Sequence, residues 1–144
     1  MFCADPVLNA ALSLFKRRAE DKGIRFKIDS QLSNTLDVDT IKLSVVLSNA
    51  LENAITAADK VQNREGRTVN VKFVYTGSQF GFEIINSCAE PAEFDDEGIP
   101  VTRKAGHGVG VRSIVMFAKE NNALLDFKCI DSRFTMRLVI GSAM

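Results

Sequence analysis

The sequence has no excess of charge of either sign, since eighteen Lys and Arg residues balance eighteen Asp and Glu. A chain without a net positive field is poorly suited to hold a nucleic-acid backbone or an anionic membrane surface, so no nucleic acid and no membrane contact by these residues are expected. Long apolar runs are missing too. VVL at 45–47 and IVMFA at 114–118 are far shorter than a membrane span, and the N-terminus has no signal-peptide pattern. Cysteine is scarce: Cys3, Cys88 and Cys129 are odd in number, distant in sequence and without CxxC spacing. That argues against a disulfide framework and a zinc site and fits a reducing, cytoplasmic compartment. Internal repeats and low-complexity segments are absent, and the one histidine, His107, is the one candidate for imidazole chemistry. What remains, 144 residues of which 46% are hydrophobic and 25% charged, is the make-up of a single domain, 1–144, with one core.

Asp5-Pro6 is a helix opening, with a side-chain acceptor at the N-cap and proline where its missing N–H costs nothing. Leu8, Ala11, Leu12, Phe15 and Ala19 recur at helical spacing, and Gly23 follows Lys22 as a C-cap signal. IRFKI, 24–28, alternates as a strand. A second helix is expected from about Thr40 to Val61, with Leu43, Val46, Leu47, Ala50, Ala54, Ala58 and Val61 as its core stripe. Residues 67–76 and 79–86 read as two strands joined by Gly77-Ser78. The acidic stretch between Ser87 and Gly106 has two prolines and no period, and is expected to be an irregular functional loop, a lid over about 88–106. A third helix through Val111, Ile114, Val115 and Ala118, then strands ALLDFKCI and RFTMRLVI around Asp131-Ser132, complete the chain. The expected fold is α+β: a two-layer sandwich whose mixed, mostly antiparallel sheet is covered on one face by three helices, because each helix has one apolar stripe to bury.

Two constellations carry chemistry. In SNALENAITAADK, Asn49, Glu52, Asn53, Thr56 and Lys60 share one helix face opposite the apolar stripe. Asparagine is a poor mid-helix residue, so two of them one turn apart ask for a reason. Either this is a solvated face, the reading that suits Glu52 and Lys60, or the carboxamides offer hard neutral oxygens to a Mg²⁺ that phosphates also hold. The second constellation is KAGHGVGVRS, where Gly106, Gly108 and Gly110 precede the third helix. Such glycines let a phosphate chain approach the backbone, and the helix N-terminus then supplies free N–H groups. Lys104, with Thr102 and Arg103, adds donors at the loop mouth. The stretch is neither a Walker loop nor a dinucleotide fingerprint.

NALENAI followed some fifty residues later by GHGVGVRSI resembles the N box and glycine-rich G2 box of the GHKL ATPases. The closest likeness is to the ATP-binding catalytic domain of sensor histidine kinases, whose fold is also called the Bergerat fold. LSNALENAI is most similar to the peptide-responsive, quorum-sensing branch, and INSC at 85–88 stands where most kinases carry an adenine-binding DxGxG box. The resemblance implies ATP and Mg²⁺ as ligands, Asn53 as the metal-binding asparagine, Asn49 as its N-box companion and Asn86 as the reader of the adenine amine. Lys104, Gly106, Gly108 and Gly110 become the phosphate-binding loop. His107 lies in a variable slot between two glycines, where it either touches the nucleotide or caps a turn, and is not the phosphoacceptor.

In this reading the domain donates the γ-phosphate to a histidine on a separate dimerisation domain, absent from these residues, and serves a response regulator indirectly. Glu52, beside Asn53, is a candidate base or imidazole-polarising group, with Asn49 as its catalytic neighbour. The parent protein is expected in the bacterial plasma membrane, with this domain in the cytoplasm. An anti-sigma-type serine kinase would carry a glutamate in place of Asn49. A non-catalytic interaction module is the other alternative, favoured by the missing acid at Asn86. Gyrase- and chaperone-type ATPases fit less well, since they use a carboxylate at position 49 to activate water. Cys88 reads as a half-buried thiol without chemistry.

Overall fold

The computed structural model describes residues 5–29, 39–76, 79–101 and 108–141. Helix α1 (Pro6–Asp21) starts where the Asp5 carboxylate accepts from the amides of Val7 and Leu8, and it ends at Lys22 and the left-handed Gly23, φ +74°. Strand β1 (Arg25–Asp29) follows, and then α2 (Thr40–Asp59), whose N-cap is Asp39. After a 3₁₀ turn at Arg64–Gly66 come β2 (Thr68–Thr76) and β3 (Gln79–Ser87), then α3 (Gly108–Glu120), β4 (Leu124–Ile130) and β5 (Arg133–Gly141). Asp131 and Ser132 both have positive φ, 52° and 61°, the backbone that a two-residue hairpin turn demands.

The sheet order is β1-β2-β3-β5-β4, with β1 and β2 parallel and every other pair antiparallel. This is the two-layer α+β arrangement expected from the sequence. One face carries Phe26, Val69, Val71, Phe82, Ile84 and Leu138 into the core beneath the helices. On the other face Asp29, Lys72, Glu83, Arg137 and Asp126 stand in register across all five strands. Alternating charges directly opposite one another contribute about 0.2–1 kcal/mol per pair and keep that face in water.

Helix α2 is the central element, packed against α1 on one side and α3 on the other while lying on β3. Its buried surface is therefore wider than the expected stripe: Leu51 and Ile55 are buried as well as Leu43, Val46, Leu47, Ala50, Ala54 and Ala58. Val61, expected within this helix, lies past its end. Arg67 ties the corner together. Its Nε donates to the Val61 carbonyl at 2.7 Å and a terminal nitrogen donates to the Lys22 carbonyl at 3.2 Å, 3.6 Å from the Asp59 carboxylate. Among the described residues no helix is long and apolar enough to cross a membrane.

Candidate functional site

A cavity of about 1000 Å³ opens between α2, the start of α3, the β3–β5–β4 end of the sheet and the segment after β3. Its strand wall is apolar, built by Ile84, Phe127, Phe134 and Met136, with Ile114 of α3 above. These side chains follow from strand alternation, since each sits in the rank facing the helices. Asn86 extends the rank Phe80, Phe82, Ile84. It is 2% exposed and is the one buried polar side chain among the described residues.

The Asn86 carboxamide is oriented. Its nitrogen donates to the Ser87 carbonyl at 3.0 Å, while its oxygen has no protein donor among the described residues. No fully buried side-chain nitrogen or oxygen is left without a partner there, so this oxygen opens onto the cavity. The fold thus keeps an acceptor ready for a donor brought in by a ligand.

The opposite wall is the polar face of α2. Asn53, Thr56 and Lys60 are exposed and line the cavity with Ala50, Ala54 and Ala57. Asn49 is half-buried one turn earlier, and Glu52 is exposed outside the cavity lining. A Cβ added at Gly110 would lie 3.6 Å from the Asn49 Cβ and 3.8 Å from the Asn53 Nδ2. The first turn of α3 is therefore set directly against the asparagine pair. The expectation that all three glycines precede the third helix is corrected here: α3 begins at Gly108, so Gly108 and Gly110 form its first turn. A helix stepping over glycines keeps its free N–H groups close to whatever lies between α2 and α3. Thr102, Arg103, Lys104, Gly106 and His107, singled out in the sequence, lie outside the described residues.

Over 88–101 the segment after β3 has no helix or strand, and its local order comes from one isolated bridge and a turn. Phe94 bridges Pro100, the Asp95 amide donates to the Ile99 carbonyl at 2.8 Å, and the Asp95 carboxylate accepts from the Glu97 and Ile99 amides, both at 2.9 Å. Asx-type bonding of this kind, with Gly98 at φ +78°, closes a tight hairpin. Phe94 stacks on Phe134 at 6.3 Å, which seats the hairpin beside the strand wall.

Two features escaped the sequence. Phe127, Phe134 and Met136 were not singled out, because alternation alone does not tell a cavity wall from a packed layer. Cys88 and Cys129 are 41 positions apart, yet their sulfurs lie 3.9 Å from each other. Burial, and then the neighbouring Cys129, push the Cys88 thiol up from 9.0 to about 11.

Among the described residues no three His, Cys, Asp or Glu side chains group as a metal cage. An Asn oxygen with phosphates and water is a donor set that suits Mg²⁺, which seldom takes an all-protein site, and Asn53 is a carboxamide of that kind on the cavity wall.

A family model described as a GHKL domain matches residues 38–141, and the chain belongs to that family. No curated protein matches the sequence. Among solved structures, the catalytic domain of histidine kinase ThkA is similar over 98% of this chain and 95% of its own, with TM-score 0.75 and 16% identity. The Acinetobacter baumannii histidine kinase AdeS is similar over 96% of this chain and 64% of its own, with TM-score 0.73 and 13% identity. Full-length ShkA in complex with AMPPNP is similar over 95% of this chain but 30% of its own, with TM-score 0.73 and 16% identity. The fold is thus that of histidine kinase catalytic domains.

Proposed function

We propose that the domain binds ATP with Mg²⁺ and donates the γ-phosphate to a histidine carried by a separate dimerisation domain. The observation that carries this reading is the buried, oriented Asn86 side chain, its oxygen open to a cavity whose other wall holds Asn53 against the Gly110 turn. Asn86 accepts from the exocyclic amine of adenine, and Phe127, Phe134 and Ile84 exclude water around the base. Asn53 offers its carboxamide oxygen to the metal. The amides of the α3 first turn, with Lys104, Gly106 and His107 upstream, orient the phosphates. Magnesium, when bound, offsets phosphate charge, so the protein contributes position and electrostatics more than covalent chemistry. The ShkA complex with AMPPNP supports a nucleotide in a site of this fold.

To Glu52, exposed on α2 outside the cavity lining, we assign the role of base or imidazole-polarising group, with Asn49 as its companion. Glu52→Gln is expected to slow transfer to a supplied histidine domain while leaving nucleotide affinity unchanged. Equal transfer rates would remove this role. The response regulator is reached indirectly, through that histidine. NALENAI and INSC support a place in the peptide-responsive quorum-sensing branch, whose parent protein is anchored in the plasma membrane. The reading is tested by calorimetric titration with AMPPNP, with and without Mg²⁺. Binding that strengthens with Mg²⁺ is expected, and no heat up to millimolar ligand would refute it. A phosphoserine rather than phosphohistidine product would turn the assignment to a serine kinase of the same fold.

A further inference from the structure

We propose that Cys88 and Cys129 form a redox-modification site. A low-molecular-weight disulfide converts this thiol pair to a Cys88–Cys129 bond that pins the root of the 88–101 segment to β4 and weakens nucleotide binding. The effect on nucleotide rests on the function proposed above; the bond itself does not.

The two sulfurs belong to parts of the sheet separated by β5, yet they lie 3.9 Å apart. Cys88 continues the inward rank of Asn86 just past β3, where its amide donates to the Ser132 carbonyl at 2.9 Å. Cys129 is on the helix-facing side of β4 and accepts from the Ala92 amide at 3.4 Å. Cys88 and Ala92 both line the cavity, so this thiol pair and one hydrogen bond join the strand wall, β4 and the loop root. A soft-metal site would need further ligands, and among the described residues no third His, Cys, Asp or Glu joins them. Closure to a covalent S–S bond of about 2 Å draws Cys88 toward β4 and shifts the wall two residues from Asn86.

The chemistry balances by exchange. The Cys129 sulfur, the more exposed of the two, attacks one sulfur of a disulfide RSSR as its thiolate, forming a mixed disulfide and expelling RS⁻, which takes up a proton. Cys88 then attacks the Cys129 sulfur as its own proton leaves. The Cys88–Cys129 bond forms, the mixed disulfide breaks and a second RS⁻ departs as RSH. Two thiols lose two electrons and two protons, and RSSR is reduced to two RSH. Burial keeps Cys88 a thiol at neutral pH, with its pKa at about 11, which makes it the second partner.

The test treats the protein with oxidised glutathione, maps cysteine-containing peptides by mass spectrometry and titrates AMPPNP before oxidation, after it and after reduction. Expected are a linked peptide pair containing Cys88 and Cys129, lighter by two hydrogens, and an AMPPNP affinity lowered by about fivefold or more that reduction restores. Cys129→Ser and Cys88→Ala each remove both effects. Glutathione adducts without the link, links through Cys3 alone, or a link that leaves affinity unchanged would overturn the proposal. If the reduced protein binds no AMPPNP, the nucleotide reading falls. The redox site is then judged by the link and by amide exchange over 88–101, which slows on oxidation if the segment is pinned; unchanged exchange refutes it.

Discussion

The two walls of the cavity are built on different principles. The strand wall, with Asn86, Phe127, Phe134 and Met136, is part of the core, and its one polar side chain is held by a bond to its own neighbour's carbonyl. The polar side chains of the α2 wall, Asn53, Thr56 and Lys60, are exposed and lie outside the hydrophobic core. A site made this way has one end whose geometry is paid for by folding and one end free to answer to charge. Substitutions on the strand wall should therefore change stability and binding together, and those on α2 should change binding alone.

The largest effect is expected at Phe134, which stacks with Phe94 and touches Phe127. Phe134→Ala should cost about 3 kcal/mol in urea unfolding and lower AMPPNP affinity as well. Stability lost without affinity would break the comparison. Asn53→Ala should lower Mg²⁺-dependent affinity about a hundredfold, about 2.8 kcal/mol, with an unchanged melting temperature. A parallel fall in melting temperature would show that the α2 wall is not independent of the core.

The third expectation concerns pH. The Cys88 thiol is raised from 9.0 to about 11, so the stability tied to it is whole below pH 9 and is lost as pH rises through 11. Compared with Cys88→Ala, the unaltered protein should lose about 2 kcal/mol more between pH 9 and pH 11 in denaturant unfolding. Parallel curves would remove the burial account. Asn86→Leu should lower adenine-nucleotide affinity about tenfold and stability by about 1 kcal/mol, since the Ser87 carbonyl loses its donor. Lys60→Ala, on the solvated side, should change either quantity by no more than about 0.5 kcal/mol.

Much of the frame was legible because it rests on local rules. Asp5-Pro6 and Gly23 bound α1 as caps do, Leu43 through Ala58 repeat at helical spacing, and Asp131-Ser132 turns the last hairpin. The asparagine pair on α2 was visible as a misfit to helix propensity. Asn86 was half-legible: the alternation Phe80, Phe82, Ile84 places it inward, but nothing in the sequence shows that its oxygen stays unpaired. The start of α3 was misplaced because glycines signal loop ends more often than first turns. The width of the α2 core face, including Leu51 and Ile55, depends on the helix being flanked on both sides, which one periodicity does not encode.

By itself the sequence determined the elements, their caps, the face of α2 that stays polar and the family motifs, because each depends on residues within a turn or two of one another. Only the tertiary structure decided that β5 inserts between β3 and β4, that Asn86 and Asn53 line one cavity, and that Cys88 meets Cys129. Those are encounters between residues far apart in the chain, set by how strands order themselves and how helices share one sheet face.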